Sequence, residues 1–167
     1  MPPGPTRGTH LCAMHKVIAV CLGNICRSPL AHGLLLREAE RRGLDWEVDS
    51  AGTGDYHAGA PPDSRSVAVA AAHGLDISGQ RARQFAAADL AHYDAVLVMD
   101  AQNYQRTRAL ARTDAERDKV GLIMNYAEPG RNAQVPDPYW DDDGFEGVFQ
   151  MLERAVSGYA DAVGGGG

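Results

Sequence analysis

Basic residues are in deficit. The 167-residue chain carries 16 Lys and Arg against 22 Asp and Glu, a formal net charge of -6. Contacts along a nucleic-acid backbone need clustered Lys and Arg, so no nucleic-acid partner is expected, although one small local site could still hold an anion. Cysteine is scarce, with Cys12, Cys21 and Cys26 as the only three. That number is too small and too odd for a disulfide framework, and a reducing, cytoplasmic setting is expected. Long apolar runs are missing. Nothing approaches the roughly 20 residues of a membrane span. The apolar run from Val17 to Leu22 is too short for a secretory core and leads straight into Gly23 and Asn24. No internal repeat is present. The hydrophobic share, 44%, is enough for the core of one domain.

Within these bounds, short apolar runs alternate with helical patterns. Strands are expected over Lys16–Cys21, Trp46–Ser50, Asp94–Met99 and Val120–Met124. Helices are expected over Pro29–Arg42 (ended by Gly43), Ser64–His73 (ended by Gly74), Arg81–Ala91, Ala101–Arg112 and Asp143–Val163. Two long Gly/Pro-rich loops, Ala51–Asp63 and Asn125–Tyr139, separate them. Residues 1–15 read as a disordered extension, 16–163 as one domain and 164–167 as a glycine tail. Such alternation implies right-handed crossovers and a parallel sheet covered on both faces, in which ligands bind at the carboxyl ends of the strands.

The first strand leaves the sheet at that end as CLGNICRSP, Cys21–Pro29. Two thiolates at this spacing cannot complete a four-ligand zinc site, and no His or Cys pair elsewhere supplies the rest, so no metal or other cofactor is expected. Taken alone, Cys21 and Cys26 could simply be small buried hydrophobes. Their neighbours argue otherwise. Gly23 and Asn24 tolerate the left-handed backbone that curls a loop tightly, and Pro29 suits the first turn of a helix. A loop curled this way, followed by a helix start, aims N–H groups and partial positive charge at a tetrahedral oxyanion. Leu22, Gly23, Asn24, Ile25 and Cys26 would form that cradle. Arg27 adds a planar fork for two phosphate oxygens. Cys21 stands at its mouth in surroundings that favour thiolate over thiol, and Ser28 can donate its hydroxyl to the sulfur.

CLGNICRSP directly after a first strand resembles the signature of the low-molecular-weight protein tyrosine phosphatases. The segments DSAGTGDYHAGAPPD, HGLDISGQRARQF, DAVLVMD and VPDPYWDD stand in that family's order, so the resemblance covers about residues 15–162, the length of one domain. It implies a three-layer α/β fold, flavodoxin-like, with a four-stranded parallel sheet in the order 2-1-3-4 and helices on both faces. It also implies hydrolysis of phosphotyrosine and small aryl phosphates through a cysteinyl-phosphate. In that scheme Cys21 is the nucleophile, Arg27 the phosphate clamp and Asp137, between Pro136 and Pro138, the general acid and base. A turn aspartate before a proline is the plainer reading of Asp137 by itself. Asp141, Asp142 and Asp143 compete for the role but read as the charged start of the last helix. Tyr56 and Tyr139 match aromatic positions beside the substrate ring, and Ile25 suits a flat ring better than a guanidinium. Ser50 and His73 match positions that brace the loop. Cys26 is implied as a reversible disulfide partner of Cys21, against simple burial. Trp140 and His57 depart from the family's commoner residues. The implied partners are phosphotyrosine proteins and a tyrosine kinase, with inorganic phosphate as product and no membrane.

Rival readings share the early Cys loop. An arsenate reductase on the same fold would relay electrons through later cysteines, and none follows Cys26. A phosphoarginine phosphatase tends to carry Thr at the position of Ile25. A phosphorylated sugar-transport component needs neither Arg27 nor Asp137. A silent phosphotyrosine-binding module would lack the nucleophile or the acid.

Overall fold

A computed structural model describes residues 14–164. Of the extension expected over residues 1–15, residues 1–13 lie outside the described residues, as does the end of the glycine tail; His15 is not part of an extension but the first residue of the sheet, where it pairs with Trp46. Four strands, β1 (His15–Cys21), β2 (Trp46–Gly52), β3 (Ala95–Val98) and β4 (Val120–Leu122), form one sheet. Its order is β2-β1-β3-β4 and every pairing is parallel, as the resemblance implied. Six helices connect and cover it: α1 (Arg27–Arg42), α2 (Ser64–Ala72), α3 (Ala87–His92), α4 (Ala101–Ala109), α5 (Asp114–Asp118) and α6 (Phe145–Val163).

The central strand β1 is buried on both faces, which is why its sequence is a continuous apolar run rather than an alternating one. Val17, Ala19 and Cys21 face the larger core with Leu30, Leu34 and Leu35 of α1 and Phe149, Leu152 and Val156 of α6. Ile18 and Val20 face the other side, toward Leu90 and Tyr93. The inward stripe of α6, from Phe145 through Val148, Phe149, Leu152, Ala155, Val156 and Tyr159, keeps helical spacing. α1 ends at Gly43, whose φ of 67° is the left-handed conformation that the sequence expects of a terminal glycine.

Three local expectations need correction. The helical region foreseen over Arg81–Ala91 is helical only from Ala87. Residues before it run extended, because Gly52 N–H donates to Arg83 C=O (2.9 Å) and Phe85 N–H to Gly52 C=O (2.7 Å), continuing the edge of β2. α5 was not foreseen; Thr113 caps it by accepting from Glu116 N–H. The Asp141–Asp143 run does not open the last helix. It forms a separate 3-10 turn in which the Asp141 carboxylate accepts from Asp143 N–H (3.1 Å), and α6 begins only at Phe145.

Candidate active site

The segment between β1 and α1 curls at Asn24, which takes φ 57°. Of the two residues expected to permit the curl, Asn24 adopts the left-handed backbone and Gly23 serves by its small size: a Cβ there would lie 3.0 Å from His57 Cδ2. Gly52, at the end of β2, closes the loop from below. A Cβ at Gly52 would stand 2.6 Å from Leu22 C=O and 3.0 Å from Asn24 N, so only glycine allows this approach of two backbones. Thr53 N–H and Gly54 N–H donate to the carbonyls of Cys21 (2.8 Å) and Leu22 (2.9 Å). Those carbonyls are thereby turned away from the concave side of the loop.

Cys21 is buried at the foot of this curl. Its Sγ lies 3.1 Å from Ser28 Oγ and accepts from Asn24 N–H at 3.3 Å. The side chain of Asn24 is satisfied at every polar position it uses. Nδ2 donates to Ser28 Oγ (2.8 Å) and Ser50 Oγ (3.1 Å), while Oδ1 accepts from Arg83 N–H (3.0 Å). Ser50 therefore braces the loop as expected. His73 does not: it pairs with Glu146 and stacks on Phe149 at 4.1 Å. The histidine behind the loop is instead His32, whose Nδ1 lies 3.1 Å from Ser50 Oγ. Burial lowers the His32 pKa, opposed by Asp49. The sequence carried a signal for it, because residues four apart on a helix share a face and His32 follows Ser28 by four.

Arg27 is only 2% exposed. Its Nη1 donates to Asp100 Oδ2 (2.8 Å) and to Val135 C=O (2.9 Å). Nη2 lies 3.8 Å from Asp137 Oδ2, and Nε is buried with no hydrogen-bond partner. One corner of the guanidinium is thus committed to the protein, and the Nε–Nη2 edge keeps two parallel donors of the kind that grip an oxyanion. Asp100 was missed in the sequence, although it follows the third strand at the carboxyl edge where sites form. It also caps α4 by accepting from Asn103 N–H (2.9 Å).

A cleft of about 280 Å³ opens above the loop, at the small end of ligand pockets and suited to one ring with one phosphate. Cys21, Leu22, Gly23, Ile25, Cys26 and Arg27 line its floor, and Tyr56, His57, Asp137, Tyr139 and Trp140 its rim. Asn24 and Ser28 stand behind the floor. The fold therefore brings the residues of the cysteine loop together with Tyr56, Asp137 and Tyr139 from distant loops, while His73 lies elsewhere. Asp137 Oδ1 accepts from Tyr139 N–H (3.1 Å). Tyr56 is 68% and Trp140 91% exposed. Cys26, buried beneath the cleft, has its pKa pushed up to about 12 by burial and by Asp63, Cys21 and Asp137. Cys21 and Cys26 are both free thiols. Among the described residues no group of three or more His, Cys, Asp or Glu is arranged to hold a metal ion, and no helix is long and apolar enough to cross a membrane.

Comparison with known proteins gives a consistent picture. Residues 16–165 match the family described as low molecular weight phosphotyrosine protein phosphatase. A low molecular weight protein-tyrosine-phosphatase of Streptomyces coelicolor is 41% identical, over 89% of this chain and 93% of its own. The crystal structure of YfkJ from Bacillus subtilis superposes with a TM-score of 0.84 at 33% identity, covering 90% of this chain and 95% of that one. A Drosophila arginine phosphatase superposes with a TM-score of 0.83 at 28% identity, covering 89% and 98%.

Proposed function

The chain belongs to the low molecular weight phosphotyrosine protein phosphatase family, a family of hydrolases, and from that premise we propose that it hydrolyses phosphotyrosine and small aryl phosphates by double displacement at Cys21. The observation that carries the reading is the convergence on one sulfur of Asn24 N–H, which donates to it (3.3 Å), and the Ser28 hydroxyl (3.1 Å), beside an arginine whose Nε is buried without a partner. Hydrogen bonds at Sγ orient it for attack and stabilise the charge that returns to it as the leaving group. In the first step Sγ attacks phosphorus, a P–S bond forms and the P–O bond to the phenol breaks. Asp137 gives its proton to the departing phenolate oxygen. In the second step the Asp137 carboxylate takes a proton from water as that water attacks phosphorus. The P–S bond then breaks and inorganic phosphate leaves. The free edge of Arg27 and the loop N–H groups neutralise charge on the phosphoryl oxygens throughout.

Ile25, Tyr56 and Tyr139 offer an apolar slot for the phenyl ring, where each aromatic contact adds about 0.5–1.5 kcal/mol beyond burial. This favours phosphotyrosine over phosphoarginine as substrate. Physiological substrates would then be phosphotyrosine proteins opposed to a tyrosine kinase in a reducing compartment. Cys26 serves as a redox partner: a peroxide oxidises the Cys21 thiolate to a sulfenic acid, which condenses with the Cys26 thiol to a disulfide and water, sparing Cys21 from irreversible oxidation.

The test is phosphate release from p-nitrophenyl phosphate, phosphotyrosine and phosphoarginine in EDTA and reductant. Turnover of the two aryl phosphates by wild type is expected, with none by Cys21→Ser and a large drop in Asp137→Ala. Folded wild type that turns over neither aryl phosphate would overturn the reading, and preference for phosphoarginine would overturn the substrate assignment.

A further inference from the structure

Asp137 is weakly held. Its side chain is 41% exposed, and its contacts are one bond to the N–H of Tyr139, two residues on, and a long approach to Arg27. Something else must fix the loop on which it stands. Upstream, Val135 N–H donates to Met99 C=O (2.8 Å) and Val135 C=O accepts from Arg27. Downstream, the fixing group is Arg65, in the first turn of α2.

That turn is seated on the cysteine loop. Asp63 N–H donates to Ile25 C=O (2.8 Å) and Ser66 Oγ donates to Cys26 C=O (3.0 Å). The Asp63 carboxylate caps the helix by accepting from Arg65 N–H (2.9 Å), and it also accepts from Arg65 Nε and Nη2, both at 2.9 Å. The guanidinium is thereby held flat by the cap of its own helix. Its remaining nitrogen, Nη1, donates across the gap to Asp142 Oδ1 (2.5 Å). Its Cζ lies 4.6 Å from the centroid of the Phe145 ring and 5.5 Å from that of the Tyr139 ring, within cation–π range of both. A fork that pairs on two edges and stacks on its face needs arginine; a lysine point charge could satisfy one of these contacts only.

We propose that Arg65 is a positioning residue that sets the spacing between the cysteine loop and the loop carrying Asp137 and Tyr139, so that it governs proton delivery to the leaving group and not capture of phosphate. This rests on Asp137 as the general acid. A displacement of about 1 Å at such a group can cost on the order of 100-fold in rate.

The experiment measures kcat/KM for p-nitrophenyl phosphate, whose phenolate leaves readily, and phenyl phosphate, whose phenolate needs a proton, with inhibition by inorganic phosphate as the binding readout. Wild type, Arg65→Met, Asp142→Asn, Asp137→Ala and the Arg65→Met/Asp137→Ala double variant are compared. Arg65→Met is expected to lower phenyl phosphate turnover about 10-fold or more while moving p-nitrophenyl phosphate far less and leaving phosphate inhibition unchanged. In the Asp137→Ala background it should add nothing. Asp142→Asn, at a carboxylate 84% exposed, should act in the same direction more weakly, and tests the same link if Arg65→Met fails to fold. Equal losses on both substrates, or an undiminished effect without Asp137, would overturn the proposal. If Asp137→Ala itself does not discriminate between the substrates, the acid assignment falls and Arg65 with it. If Asp137→Ala discriminates and Arg65→Met does not, only the positioning role falls.

Discussion

The buried Arg27 and the partly exposed Asp100 form an ion pair at 2.8 Å that joins the floor of the cleft to the turn after β3. Asp100 does two jobs at once, since its other oxygen caps α4. Replacing Asp100 by Ala removes the cap, costing about 0.5–2 kcal/mol, and strands a buried charge, costing about 3–5 kcal/mol more. Asp100→Asn keeps an acceptor for the cap and loses only the charge. Urea midpoints should therefore rank wild type, then Asn, then Ala, and both variants should bind inorganic phosphate more weakly. Equal midpoints for the two variants would show that the cap contributes nothing.

Gly52 makes the second prediction. A methyl group at this position meets Leu22 C=O at 2.6 Å, and neither backbone can yield without opening the curl. Gly52→Ala should cost about 1–3 kcal/mol of stability, as overpacked sites do, and should abolish phosphate release in protein that remains folded. Full activity in Gly52→Ala would mean that the loop has slack the geometry does not show.

Acid should weaken the fold before the carboxylates titrate. The pKa values of His15 and His32 are both lowered by burial from 6.5. Each is neutral in the fold and binds its proton more readily when unfolded, so stability rises with pH through their range. Their contribution is complete above pH 6.5, shrinks as pH falls below it, and levels off beneath the folded-state values. Stability measured by urea at pH 7.5 and pH 5 should show this loss, and His32→Gln should flatten it. An unchanged slope in His32→Gln would remove His32 from the account.

The two thiols of the cleft should differ in reactivity. With its pKa pushed up to about 12, Cys26 remains protonated at neutral pH and reacts slowly with reagents from solution. Iodoacetamide at pH 8 should label Cys21, with inorganic phosphate protecting it, and leave Cys26 unmodified by peptide mass analysis. Prior labelling of Cys26 would contradict its buried, protonated state.

The parts of the site that were legible in the sequence are those built from neighbours in the chain. CLGNICRSP encodes its curl, its helix start and its nucleophile within nine residues, and the apolar run before it encodes a central strand. Asp137 was legible only because a proline-flanked aspartate resembled a known pattern. The residues that escaped act across the fold. Asp100 meets Arg27 from the turn between β3 and α4. His32, on α1, reaches Ser50 of β2. The extended course of residues 81–86 comes from pairing with Gly52, which no local propensity announces. His73 shows the reverse error: its place in a resembling segment suggested a brace, while its position at the end of α2 gives it Glu146 and Phe149 instead.

β1, which delivers Cys21, lies between β2 and β3 and pairs with both in parallel. Parallel neighbours arrive only after long connections, and the loop with Asp137 arrives after the last strand. Cys21 therefore precedes Asp100, Asp137 and α6 in the chain, and the groups that surround it in the fold come from segments that follow it. A nascent or truncated chain holds the thiol without the machinery that gives it a target. Turnover of the proposed kind would need β1 and the loop after β4 in place together, so it would report the assembled fold as stringently as any spectroscopic probe.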